Sequence, residues 1–382
     1  NDFIVEWNYS AFVREVHGYD GGMVSFLGFH PASFGSTYYA YMRVEGSCLV
    51  EIREKQSFTK DRTQEHASAG IYYFRDWAMF KKYSQGYMDK GNTDHPEAYV
   101  SLLYNDMVAD GLKIKVHEVP RFICLGTPED YQQYHYWWNY FNSEQDFNKS
   151  PLPEKGIRVN LIPLAGQSRR FREFGYRAAK PLIRVRGTPM VIRSANSLPP
   201  ADEWIFEARS EDLEKHPIER EIKKLNQSST VLRVETETAS QTATCLLAQK
   251  NIPDNAELMI AYCGCEQRYS LKKWEDLIGD LGIDGVVWTY RMNNLKLKDP
   301  SAFTYCKVMD DKLTIKEVVS KRAISSNPEL DLLAIGVFWY RRADDFFKSA
   351  QHMLDKGGDA KGGCCVGATI NELLDEGRHF VV

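Results

Sequence analysis

The chain reads twice through the same text. Residues 2–20, "DFIVEWNYSAFVREVHGYD", and residues 266–284, "EQRYSLKKWEDLIGDLGID", each place a short apolar stretch, an amphipathic segment bearing Trp or Phe, and then Gly-x-Asp-Gly, at an offset of 264 (2 to 266). After one small indel the offset is 266. Lys55 pairs with Lys321, Gly70 with Gly336, Asn105 with Asn371 and Gly111 with Gly377. "SAGIYYFRDWAMFKKYSQGYMDKG" (68–91) answers "LAIGVFWYRRADDFFKSAQHMLDKG" (333–357), and "YNDMVADG" answers "INELLDEG". Periods of 20–50 residues make solenoids. A period of this length instead means two copies of a whole domain, each able to hold its own core. The two windows differ: the first copy enters late and the second lacks its tail.

The 382 residues, 43% of them hydrophobic and 13% aromatic, suffice for two packed cores and argue against disorder. The expected division is residues 1–141 for the C-terminal part of a first domain, residues 142–156 ("NSEQDFNKSPLPEKG") for a polar, Pro-bearing linker, and residues 157–382 for a second, nearly complete domain. Both ends read as strand, which suggests that both are cut from a longer protein. With 48 basic and 52 acidic residues the net charge is −4. That leaves no broad basic surface for nucleic acid or anionic lipid, so a phosphate-bearing ligand needs a local cluster of cations. No run of 18 apolar residues and no signal-type leader is present, and a reducing cytoplasm is the expected setting. The eight cysteines show no C-x-x-C spacing, and free thiols are expected rather than a zinc site.

Buried strands are expected at 156–166, 203–208, 230–235 and 256–263, with a helix over 211–225. In the first copy "GGMVSFLGF" and "YAYMRVEGSCLVEIREK" add strands, the latter folded at Gly46, and "FKKYSQGYMDKG" reads as a helix stopped by Gly. Strands alternating with helices predict α/β architecture with two Rossmann-like mixed, mainly parallel sheets flanked by helices. The aromatic "DYQQYHYWWNYF" (130–141) is expected to be a helix packing on a sheet or a neighbour rather than a base-stacking platform. His66 reads as a satisfied surface residue.

After the first strand of the second copy comes "LAGQSRRF" (164–171), then "KPLIRVRGTPM" (180–190). A Gly turn after a strand lets backbone N–H groups approach an anion, and Arg170 and Lys180 supply fixed positive charge. At this spacing the chain resembles the sugar nucleotidyltransferases, the nucleoside-diphosphate-sugar pyrophosphorylases. Their motif A-G-x-G-x-R-F is similar to Ala165-Gly166-Gln167-Ser168-Arg169-Arg170-Phe171, and their K-P-L and G-x-P-M are matched by Lys180-Pro181-Leu182 and Gly187-Thr188-Pro189-Met190. "TASQTAT" (238–244) resembles their base-binding T-x-G-Q-A-x-T, and "GTPED" (126–130) their domain-closing motif.

The resemblance implies attack of a sugar-1-phosphate oxygen on the α-phosphorus of a nucleoside triphosphate, with release of pyrophosphate. It implies Mg²⁺ as cofactor and the formation of a nucleotide sugar for polysaccharide synthesis. Such chemistry needs positioning and charge neutralisation more than a covalent nucleophile. By the same resemblance Arg170 and Lys180 hold the triphosphate. Ala165, Gly166, Gln167, Ser168, Ser240 and Gln241 line the nucleotide, and Asp2 and Glu266 are the metal carboxylates. Glu54 receives sugar hydroxyls, and Lys55 and Lys321 reach the sugar phosphate. The second copy departs from the pattern at Ser168, Ser240, Glu266 and Ser320, where the family has Gly, Gly, Asp and Glu. The first copy has Cys124 where a second metal Asp is usual. Two readings therefore stand beside transfer: the second copy as a non-catalytic module that binds nucleotide or braces its neighbour, and a nucleotide-sugar-dependent glycosyltransferase. "KPLIRVRGTPM" argues against the last, because a diphosphate donor needs no triphosphate clamp. The base, the sugar and the oligomeric state stay open, a homo-oligomer included.

Overall fold

The computed structural model describes residues 2–28, 30, 33, 39–91, 97–142, 157–225, 229–292, 299–358 and 365–382. The chain falls into two compact units, Asn1–Ser143 and Glu144–Val382. The expected linker lies, from residue 143 onward, outside the described residues.

In unit 1 the elements run β1 (Phe3–Glu6), α1 (Tyr9–Val16), β2 (Gly21–Phe26), β3 (Ala40–Glu45), β4 (Cys48–Glu54), β5 (His66–Phe74), α2 (Trp77–Asp89), α3 (Leu103–Ala109), β6 (Ile114–Glu118), β7 (Arg121–Cys124) and α4 (Pro128–Asn142). Local chemistry sets their ends. Asn8 and Asp76 cap α1 and α2 by accepting backbone N–H groups, and Gly46 takes φ +62° where β3 turns into β4. Strands β2, β5, β3, β4 and β6 close into a barrel, with β1 and β7 a separate antiparallel pair. Within the barrel only β2–β6 is parallel. The mainly parallel, Rossmann-like sheet expected here is therefore replaced by a closed, mostly antiparallel one. Successive residues of β2 face opposite ways, Met23 into one apolar cluster with Tyr83 and Tyr104 and Val24 into another with Phe12 and Phe122.

Unit 2 runs β8 (Arg158–Pro163), α5 (Arg169–Glu173), β9 (Arg184–Val185), β10 (Thr188–Pro189), α6 (Met190–Asn196), β11 (Glu203–Arg209), α7 (Ser210–Lys215), α8 (Ile218–Leu225), β12 (Thr230–Val234), α9 (Gln241–Leu246), β13 (Glu257–Ala261), α10 (Leu271–Gly279), β14 (Gly285–Tyr290), β15 (Thr304–Val308), β16 (Ile315–Ser320), β17 (Leu332–Tyr340), α11 (Ala343–Asp355), α12 (Thr369–Asp375) and β18 (Phe380–Val381). Nine strands form one sheet in the order β12-β11-β8-β13-β17-β14-β18, with β15 paired to β16 and β17. The block β12-β11-β8-β13 is parallel and the pairings of β17 and β15 are antiparallel, so the sheet is mixed rather than mainly parallel. Apolar clusters cover both faces: Leu161, Leu258 and Phe346 lie in one, Ile162, Met259 and Trp274 in the other. The helix expected over 211–225 is broken in two at Pro217, which has no N–H to give and disfavours helical backbone before it.

From α1 to β6 in unit 1, and from α10 to β18 in unit 2, helices and strands follow the same order. Asn105 on α3 donates to the Ile52 carbonyl and accepts from its N–H, both at 2.9 Å. Asn371 on α12 clamps Val318 in the same way, at 2.9 and 2.8 Å.

Candidate functional site

β8 ends at Pro163, and the chain then turns through Gly166 into the short helix α5. Its next parallel strand, β11, lies on one side of it and β13 on the other, so the order of the sheet switches beside β8. Crevices at such a switch, outside the carboxyl ends of parallel strands, are where α/β sheets bind ligands. A cleft of about 700 Å³ opens there. Its walls bring together Ala165, Gly166, Gln167, Ser168, Arg170, Lys180, Ser240 and Gln241, residues up to 76 positions apart (165 to 241) that the sequence had assigned to one nucleotide site.

Ser168, the residue before α5, makes no capping hydrogen bond and lies in left-handed backbone, φ 55° and ψ 27°, so its Cβ stands where a second Gly would leave the turn open. Ser240 spends its hydroxyl on capping α9, accepting the Ala243 N–H at 3.1 Å. Gly264 leaves room for Lys180: a Cβ there would stand 3.1 Å from the Nζ. Neither Arg170 nor Lys180 is paired with a carboxylate among the described residues. The cleft also takes in Arg169, Glu237, Tyr262 and Cys263, which motif reading passed over. Arg169 donates to the Gln167 side chain at 2.7 Å. Burial pushes the Cys263 thiol above the usual range, partly countered by the Lys180 charge. The nearby Cys265 is pushed up to about 11 by burial.

Glu266 does not offer itself to a metal. Arg193 Nε donates to its Oε2 at 2.5 Å and Arg193 NH2 to its Oε1 at 2.7 Å, and the side chains are only 8% and 15% exposed, arginine first. A fork on both oxygens satisfies the carboxylate in geometry and in charge. The glutamate's fit to Mg²⁺ is therefore poor. Among the described residues no three His, Cys, Asp or Glu side chains are grouped to hold a metal ion. Lys321 follows β16 at the surface of unit 2. Ser320 contacts Cys365 Sγ at 2.8 Å.

In unit 1, Glu54 is buried at the end of β4 and accepts a hydrogen bond from Ser101. Lys55 follows it, its N–H bonded to the Tyr39 carbonyl at 3.0 Å and its Nζ 5.1 Å from the Tyr99 ring centroid. Asp2 lies across from β7. Its carbonyl accepts the Leu125 N–H at 2.6 Å, and its Oδ2 stands 3.0 Å from the place of a Cβ on Gly126. Asp130 accepts from Thr127 at 2.8 Å and from the Cys124 thiol at 3.4 Å. Asp2, Cys124 and Asp130 are thus held around one turn. His66 contacts Ser25 Oγ at 3.0 Å and is half-buried, and desolvation lowers its pKa. Helix α4 has no buried residue, and Tyr131, Tyr136, Trp137 and Trp138 are exposed.

No family model matches the chain, and no curated protein matches it. Solved structures to which it is similar include the following. One is the nucleoside-diphosphate-sugar pyrophosphorylase of Vibrio cholerae, with 17% identity over 58% of this chain and 90% of that one, at a TM-score of 0.47. The inositol-1-phosphate CTP transferase of T. maritima has 11% identity over 60% and 85%, at 0.45. A UDP-glucose pyrophosphorylase complexed with UDP-glucose has 14% identity over 59% and 92%, at 0.44.

Proposed function

We propose that the chain serves nucleotidyl transfer from a nucleoside triphosphate to a sugar-1-phosphate, releasing pyrophosphate, with unit 2 supplying the nucleotide site. One observation carries this reading: the Ala165–Arg170 loop, Lys180 and the Ser240–Gln241 turn meet in a single cleft at the switch point of the parallel block of a mixed sheet. The loop's backbone and Gly166 give a phosphate close approach, while Arg170 and Lys180 offset its charge. Gln241, at the first turn of α9 and lining the cleft, would meet the base.

The same proposal reads the units as two copies of one domain. The shared element order and the two asparagine clamps support it. In unit 1, Glu54 and Lys55 would take the sugar phosphate, and Asp2 would hold Mg²⁺ with substrate phosphates completing the shell, as suits an ion that keeps few protein ligands. Mg²⁺ bound there would offset the charge of phosphates held in unit 1's own copy of the site.

A second reading, unit 2 as a binding module without catalysis, is favoured by the pairing of Glu266 with Arg193 and by Ser320. Titration with each common nucleoside triphosphate, beside Arg170→Ala/Lys180→Ala, tests what the two readings share. Pyrophosphate release with a panel of sugar-1-phosphates then separates them. Absence of triphosphate binding by the wild-type chain would end transfer by unit 2 and leave it a module that binds another ligand or braces its neighbour.

A further inference from the structure

We infer that the cleft of unit 2 binds nucleotide phosphates without a divalent cation. This rests on the reading of that cleft as a nucleotide site and goes beyond it, since the resemblance implies a metal carboxylate at Glu266.

Arg193 and Glu266 do not line the cleft themselves; they are tied to its wall through their chain neighbours Ser194 and Gly264. Ser194, next to Arg193 on α6, donates to the carbonyl of Tyr262 at 2.9 Å, and Tyr262 and Cys263 line the cleft. Gly264, between them and Glu266, packs against Lys180. The carboxylate that would attract a metal therefore already has a cation, one that is covalently part of the protein and 8% exposed. Releasing Glu266 to a metal would strand a buried guanidinium, at a cost that binding would have to meet.

Charge is supplied by side chains instead. Arg169, Arg170 and Lys180 line the cleft against one carboxylate, Glu237. Three fixed cations facing one anion suit a nucleoside di- or triphosphate whose negative charge has not been masked by Mg²⁺. A carboxylate left ionised and unpaired at Glu266 would instead repel such a ligand, and the fork from Arg193 prevents that.

Calorimetric titration of the full chain with nucleoside triphosphate, once in EDTA and once in excess Mg²⁺, tests this. The expected result is a Kd in EDTA equal to, or lower than, that in Mg²⁺, and at least tenfold weaker binding by Arg170→Ala/Lys180→Ala in both. Binding at least tenfold tighter in Mg²⁺ and still lost in the double variant would overturn the inference while keeping the nucleotide site. No binding under either condition would remove the site and the inference together. Arg193→Gln, folded by circular dichroism, should lose at least tenfold in EDTA and recover in Mg²⁺. An unchanged EDTA affinity in a folded variant would refute the role of Arg193. Should that variant not fold, the wild-type comparison decides alone.

Discussion

Lys55 and Lys321 adopt the same left-handed backbone, φ 55° and 53°, each directly after a strand, β4 and β16. For a residue with a Cβ this conformation costs about 1–2 kcal/mol. Lys321→Gly, at an exposed position, is expected to stabilise unit 2 by about 1 kcal/mol after the larger unfolded-state entropy of Gly is counted. Chemical denaturation checks it. A loss of stability would mean that the Lys321 side chain makes a stabilising contact of its own.

Asn105 and Asn371 each tie a helix to both backbone groups of one strand residue. Alanine at either site removes two hydrogen bonds and leaves a strand N–H and carbonyl unpaired, costing about 1–3 kcal/mol. Similar losses from Asn105→Ala and Asn371→Ala, each read from the transition of its own unit, are expected. A loss at one site alone would count against the two clamps being equivalent.

Glu207 is fully buried on β11, and neither carboxylate oxygen has a partner. Desolvation raises its pKa to about 9. A carboxyl raised this far binds a proton in the folded state that the unfolded chain has released above its ordinary value near 4.5. Its contribution is therefore complete below that value and falls away as pH rises toward 9, by up to about 1.4 kcal/mol per pH unit. Glu207→Gln should flatten the decline of stability between pH 5 and 8. Parallel curves for the two proteins would show that Glu207 ionises normally.

Gly336 on β17 takes φ +87°, and a Cβ there would stand 2.4 Å from the Tyr262 ring. Gly336→Ala is expected to cost about 2–4 kcal/mol, from left-handed strain and overpacking together. Because Tyr262 lines the cleft, nucleotide affinity should fall as well. The corresponding Gly70→Ala in unit 1 meets only Phe3, at 3.5 Å, and should carry the backbone cost alone.

What the sequence made legible was local. The 164–171 loop, Lys180 and the 238–244 turn announce themselves because each is a short run whose residue types serve one conformation. The strands at 158–163, 203–209 and 257–261 were readable as mainly apolar segments, interrupted by Asn160 and Glu207. Hidden features depend on partners far along the chain. Nothing near Glu266 reveals that Arg193, 73 residues earlier, would grip it. Helical and strand periodicity do not state which strands pair, so the closed barrel of unit 1 was unreadable from patterns that an open sheet would share. Pro217 was visible in the sequence, yet the apolar spacing on both sides of it suggested one helix.

The parallel pairing of Gly21–Ser25 with Ile114–Glu118 carries a consequence for how unit 1 is made. It joins segments some 93 residues apart, and no shorter route completes the ring. A ribosome that has released the chain only as far as residue 100 has presented β2 through β5 with one flank of β2 still bare, an invitation to a second nascent chain. Closing so long a loop before its contacts can reward it is slow, so unit 1 should acquire protection from proteolysis late in its own synthesis.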